Sequence, residues 1–271
     1  ITYGDWSSDV CSSDLMGHAE VTYLKTLPRD ERRKRYELLF GFPFPGLVFC
    51  RDLAPDRDFL RAAESRDIPV FASSLITMKF INIATLALEE LFAPWGSEIG
   101  SMVDIHGVGV LIRGDSGIGK SESILALIER GYSLVSDDMT RVTLVDGREV
   151  VGTSSDLTRN HMEIRGIGIV NVAAMFGAKS VRGEKRIDLV VTLKAWDEVK
   201  DIDRLGMEET FDEILGIRIP HMTIPVRPGR DLARLIEVAA LHVKLRRAGH
   251  NPAKELNERL MSQMAAAPRG L

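Results

Sequence analysis

Gly114-Asp115-Ser116-Gly117-Ile118-Gly119-Lys120-Ser121 fits the pattern G-x-x-x-x-G-K-[ST] at every fixed position. A strand-like segment, Val103–Val110, runs before it and continues through Leu111-Ile112-Arg113. A helix from Ser121 to Arg130 is predicted after it, with Ile124, Leu127 and Ile128 on one face and Gly131 as its stop. Few folds accommodate a strand, a glycine-rich turn and a helix in that order. The turn must let a phosphate approach several backbone N–H groups at once, and side chains would block it. The loop amides and the helix N-terminus together form a positive concavity. Lys120 is placed to neutralise β- and γ-phosphate oxygens, and the Ser121 hydroxyl to ligate Mg²⁺. Gly114, Asp115, Ser116, Gly117, Ile118, Gly119, Lys120 and Ser121 are therefore the expected nucleotide site. A glycine-rich turn that binds nothing is the competing reading, and the flanking strand and helix weigh against it.

Leu134-Val135-Ser136-Asp137-Asp138 sets two carboxylates just past the next apolar strand. In a parallel α/β sheet, strand carboxyl ends converge on the ligand side. One of the two, Asp137 or Asp138, would hold Mg²⁺, directly or through water, and the other could accept the proton of an attacking hydroxyl, as phosphoryl transfer requires. The bland alternative is a pair of solvated turn residues.

The chain has 271 residues, 45% hydrophobic and 27% charged, enough apolar material for one large or two modest cores. A net charge of -4 excludes a global basic field for nucleic acid or anionic lipid, so phosphate recognition must be local. No uninterrupted apolar run of about 18 residues suggests a membrane span. Cys11 and Cys50 have neither metal-ligand spacing nor a disulfide framework, and a cytoplasmic compartment is expected. Residues 1–15, with a near-repeated Ser-Ser-Asp and neither helical nor strand period, are expected to be a non-native extension before Met16.

A small α/β domain is expected over 16–95. Gly46–Cys50 and Ile68–Phe71 read as strands, Phe59–Glu64 as a helix with Pro55 and Asp56 in cap-like positions, and Thr77–Phe92 as a long helix. Met78, Ile81, Thr85, Leu88 and Phe92 recur in that last helix at helical spacing. Ala93-Pro94-Trp95-Gly96 is the expected linker to a second domain, 96–271. There Tyr132–Val135, Arg141–Val145 and Arg148–Val151 read as strands, the latter two joined by an Asp146-Gly147 hairpin turn. Ile187–Leu193 is a further apolar run, Leu232–Arg246 an amphipathic helix, and Met261 begins an expected frayed tail. The fold class is α/β: a P-loop domain with a sheet flanked by helices, plus a small, truncated N-terminal α/β domain.

From about Val103 to Arg259 the chain resembles the catalytic domain of the HPr kinase/phosphorylase family. The resemblance rests on separated blocks in order: Gly114–Glu122, Arg130–Asp138, Met162–Ile169, Asp203-Arg204-Leu205-Gly206 and Pro225–Arg230. Residues 20–95 resemble the later part of that family's N-terminal domain. The resemblance implies ATP (or pyrophosphate) as donor, Mg²⁺, a serine of HPr as acceptor, a reverse reaction in which phosphate releases pyrophosphate, and a hexamer. It implies Lys120 as the P-loop lysine, Ser121 and Glu163 as magnesium ligands, Asp138 as the proton acceptor and donor, and Arg204 as a catalytic arginine. Met162–Asn171 and Pro225–Arg230 match segments tied to catalysis and to dephosphorylation.

From its own residues alone, Glu163 reads as a surface residue, and Arg227-Pro228-Gly229-Arg230 as either an anion site at a helix start or a capped turn. The family's His-Gly pair upstream of the P-loop aligns with Ile99-Gly100. Isoleucine cannot titrate, donate or accept a proton, so weaker catalysis is expected, above all in reverse. His106, about 23 Å further along an extended strand, is not expected to substitute; it, His161 and His221 read as satisfied structural histidines. A nucleotide-binding regulator without catalysis and a small-molecule kinase, labelling free serine, are the alternatives to a protein-serine kinase.

Overall fold

The computed structural model describes residues 15–42, 45–199 and 209–266. They fall into a first unit that ends at Phe92 and a second that begins at Ala93.

In the first unit, β1 (Leu15–Met16), β2 (Leu47–Phe49) and β3 (Val70–Ala72) form a parallel sheet in that order, with α1 (His18–Thr26), α2 (Arg29–Leu39), α3 (Arg57–Glu64) and α4 (Thr77–Phe92) between and after them. Asp56 caps α3, its carboxylate accepting from the Phe59 amide at 2.8 Å, as the sequence suggested. The Phe59 ring then packs edge-on against Tyr36, Phe40 and Phe49 at 4.9–5.1 Å, closing a small aromatic core. Leu15 is buried and pairs with Val48, so the segment set aside as an extension reaches one residue too far: pairing with β2 gives Leu15 a place in the fold. α4 has the expected bounds but no buried residue; Met78, Leu88 and Phe92 are exposed.

The second unit opens on β4 (Trp95–Ile99), so Trp95-Gly96 is strand rather than linker. The expected long strand at Val103–Val110 is two strands, β5 (Ser101–Ile105) and β6 (Val108–Gly114), folded back at His106-Gly107, where φ is +52° and +86°. A two-residue hairpin turn with positive φ at both positions explains the break. The chain continues through α5 (Lys120–Glu129), β7 (Ser133–Ser136), β8 (Met139–Val145), β9 (Glu149–Thr153), β10 (His161–Ile164), β11 (Gly168–Asn171), α6 (Val172–Phe176), β12 (Glu184–Arg186), β13 (Leu189–Ala195), β14 (Thr210–Ile214), β15 (Ile217–Val226), α7 (Leu232–Arg247) and α8 (Pro252–Ala266). The expected tail at Met261 is thus helical as far as Ala266.

Six strands form the main sheet in the order β14-β15-β13-β6-β5-β7, parallel only across β15-β13-β6. Successive residues alternate between two apolar layers. Val103, Val110, Ile112, Val191 and Leu193 face a core with Ile124, Leu127 and Ile128 of α5 and Ile236 and Ala240 of α7. Met102, Leu111 and Val190 face a second core with Val142 of β8 and Val150 of β9. Helices therefore cover one face, while the other is covered by an antiparallel sheet, β12-β9-β8-β4, which contains the hairpin at Asp146-Gly147. Burial on both faces is why β6 and β13 are continuous apolar runs.

Candidate active site

β6 ends at Gly114 and α5 begins at Lys120, so the glycine-rich loop bridges a central strand and a helix as expected. Gly119, the residue preceding α5, sits at φ +103°, where a side chain would be strained. Lys120 Nζ donates to the carbonyls of Gly114 at 2.6 Å and Asp115 at 3.1 Å, holding the ammonium over the loop. Arg113, just before the loop, is tied to Glu98 of β4 and Asp212 of β14.

β7 is antiparallel to β5, and β5 to β6, so β7 and β6 run the same way. Asp137 and Asp138 therefore emerge at the P-loop end of the sheet, two strand spacings or about 10 Å across it. The two carboxylates differ. Asp138 is exposed, at φ +55°, and has no ion-pair partner among the described residues. Asp137 turns inward: Oδ1 accepts from Ser101 Oγ at 2.9 Å and Oδ2 from the Glu163 amide at 3.0 Å. Burial pushes the Asp137 carboxyl above its usual range, against the pull of those hydrogen bonds. Each Asp137 oxygen thus braces the protein with one lone pair and keeps another, which the metal-ligand role expected of Asp137 would use.

The β10–β11 hairpin closes the arrangement. Met162 and Ile164 are buried and Glu163, between them, is exposed, as strand alternation dictates. One residue past β10, Arg165 donates to Ser116 Oγ at 2.9 Å, and a Cβ at Gly117 would lie 3.0 Å from Arg165 Nη1. A side chain at Gly117 would press on the guanidinium, and its φ of +84° favours glycine as well. One hairpin touches both the loop and the aspartate turn. Arg165 and Ser101 are residues that sequence reasoning missed: Arg165 lay inside a block already singled out, whereas Ser101 carried no signal.

Arg204 lies outside the described residues. Ile99 is exposed on β4 opposite Met139, and the Gly100 amide after it donates to the Asp138 carbonyl at 2.8 Å. His106 is in the hairpin turn at the far end of β6, not on a strand, and its Nε2 hydrogen-bonds Tyr132 Oη at 2.7 Å; Glu237 accepts from the same hydroxyl. His161 and His221 are satisfied by the Arg159 carbonyl and by Thr192 Oγ1. Arg227-Pro228-Gly229-Arg230 is the capped turn. Asp231 caps α7 with its own carboxylate, Arg227 stacks 3.5 Å over Trp196, and Arg230 donates to the Pro225 carbonyl.

Ser121, Glu163 and Asp137, the expected metal ligands, present hard oxygen donors, none of them in an ion pair among the described residues. There, too, no group of three His, Cys, Asp or Glu side chains converges for a metal. Hard oxygen donors are the kind that suit Mg²⁺, which takes one or two protein oxygens and completes its shell with phosphates and water. Among the described residues, no helix is long and apolar enough to cross a membrane.

A family model described as the HPr Serine kinase C-terminal domain matches residues 90–260, and one described as the HPr Serine kinase N terminus matches residues 14–88. The HPr kinase/phosphorylase of a Thermoanaerobacter species is 40% identical over 250 residues, 92% of this chain and 82% of that protein. HPr kinase/phosphorylase 1 of Oceanobacillus iheyensis is 43% identical over 250 residues, 92% of this chain and 81% of that one. The solved Hpr(Ser) kinase/phosphatase from Coxiella burnetii is similar at a TM-score of 0.55 and 31% identity, over 60% of this chain and 99% of that one. A catalytic-domain match across most of the second unit, on a P-loop with two aspartates at the same sheet end, makes the chain a member of the HPr kinase/phosphorylase family.

Proposed function

We propose that this chain transfers the γ-phosphoryl group of ATP to a serine hydroxyl of HPr, and in reverse lets phosphate remove it as pyrophosphate. The observation that carries the reading is the β10–β11 hairpin, whose Arg165 touches the phosphate loop while the Glu163 amide braces the aspartate turn. Loop amides and Lys120 bind the β- and γ-phosphates. Asp138 takes the serine proton as the oxygen attacks, and returns it in the reverse direction. Arg165, charged and against Gly117, balances negative charge on the moving phosphoryl group. Ser121 and Glu163 would hold Mg²⁺, which supplies charge neutralisation on the phosphates when bound. Arg204 is proposed as a further catalytic arginine on the family resemblance alone. A cytoplasmic hexamer is the proposed assembly, and light scattering on the purified chain tests it.

Incubation with γ-labelled ATP, Mg²⁺ and HPr, followed by mapping of the label, tests the activity. Label on one HPr serine is expected. ATP binding without any phosphoprotein would mark a nucleotide-binding regulator, and labelled free serine a small-molecule kinase.

A further inference from the structure

Ser101 opens β5 and is fully buried, with a hydroxyl that makes two hydrogen bonds. It donates to Asp137 Oδ1 at 2.9 Å and accepts from the Asp138 amide at 3.0 Å. A serine hydroxyl has one proton to give, and this one is given to Asp137. The other Asp137 oxygen accepts from the amide of Glu163, 3.0 Å away. One buried oxygen therefore connects the backbone of Asp138 to the backbone of Glu163 through a single carboxylate. The Asp138 backbone is held on its other side by the Gly100 amide, 2.8 Å from the Asp138 carbonyl.

Asp138 needs such support. Its φ of +55° lies in the left-handed region, which aspartate tolerates better than most residues but does not prefer, so a turn without these hydrogen bonds would swing the carboxylate elsewhere. We infer that Ser101 is a positioning residue for phosphoryl transfer, holding Asp138 in its left-handed conformation and, through Asp137, fixing the strand that carries Glu163. The inference rests on the phosphoryl-transfer reading above and deepens it. Ser101 is fully buried and offers no surface to a nucleotide or an acceptor. Its removal should therefore leave ATP binding alone and misplace the proton acceptor, and small misplacements of a reacting group cost up to about 100-fold in rate.

The test is steady-state kinetics of the full chain with ATP, Mg²⁺ and HPr. Ser101→Ala should lower kcat by about 10- to 100-fold and leave KM for ATP within about threefold. Ser180→Ala is the matched control: Ser180 is buried and its hydroxyl donates to the Gly177 carbonyl at 2.6 Å, with the Val172 carbonyl 3.2 Å away. That variant should lose comparable thermal stability and keep its kcat. Should Ser101→Ala keep wild-type kcat, or fall no further than Ser180→Ala, the inference is overturned. If Ser101→Ala does not fold, Ser101→Cys, of similar size with weaker hydrogen bonds, takes its place; reduced kcat at unchanged KM supports the role and wild-type kcat overturns it. Asp138→Asn separates the two readings. An inactive Asp138→Asn beside a fully active Ser101→Ala removes only the role of Ser101, whereas an active Asp138→Asn removes the site assignment itself.

Discussion

Asp138 combines an exposed carboxylate with a backbone conformation costing a non-glycine residue about 1 kcal/mol, which its neighbours hold through both its amide and its carbonyl. Asp52, Asp67 and Asp146 share that φ, so what sets Asp138 apart is its place beside the phosphate loop and the hydrogen bonds to both its amide and its carbonyl. Asp138→Asn is isosteric and keeps the turn, so ATP affinity should stay within about threefold while transfer falls by at least about 100-fold, checked by calorimetric binding and label transfer. Arg165→Lys keeps the charge but loses the planar fork that reaches Ser116 and Gly117. A loss of about tenfold or more in kcat is expected, larger for Arg165→Ala. At Ile99, next to the residue that hydrogen-bonds Asp138, an introduced imidazole would bring a titratable group to the site. Ile99→His should raise phosphate-dependent release of pyrophosphate severalfold near neutral pH, measured on phosphorylated HPr.

Among the elements, the β10–β11 hairpin does most to assemble the site. Its inward residues, Met162 and Ile164, share a core with α5, so the hairpin is seated on the helix that the phosphate loop starts. β15 and α7 contribute differently, through His221 and His242. Burial lowers the pKa of both imidazoles. The folded imidazoles take up protons at lower pH than the unfolded chain, which does so below about pH 6.5, so stability is full above that pH and is lost as pH falls from there through the lowered folded pKa. The melting temperature should drop between pH 7 and 5, and the His221→Gln, His242→Gln double variant should show a shallower drop in scanning calorimetry.

At the scale of the molecule, each unit has a core of its own: the Phe59 cluster in the first, and two layers about the six-stranded sheet in the second. All described residues of the proposed site belong to the second unit. A fragment covering 93–271 should therefore unfold cooperatively and still be stabilised by ATP with Mg²⁺, by about 2.7 kcal/mol at a hundredfold excess over Kd. Absence of an ATP-dependent shift in its melting temperature would show that the phosphate loop needs the first unit.

Local signals were enough wherever function depends on backbone within one segment. The phosphate loop and its helix, the Asp146-Gly147 hairpin and the Asp56 cap were all legible, because glycine spacing, apolar period and capping chemistry act over a few residues; the turn at His106-Gly107 that splits the strand before the loop was not. What distinguishes Asp137 from its neighbour Asp138 was not legible, since both follow the same strand. Only the tertiary fold, by placing Ser101 and the Glu163 amide around one carboxylate and leaving the other exposed, makes the first a brace and the second the candidate base. Arg165 is the same case: a guanidinium acquires its role from the phosphate loop it reaches, 49 residues away in sequence, and hydrogen bonds over such separations leave no period or spacing to read.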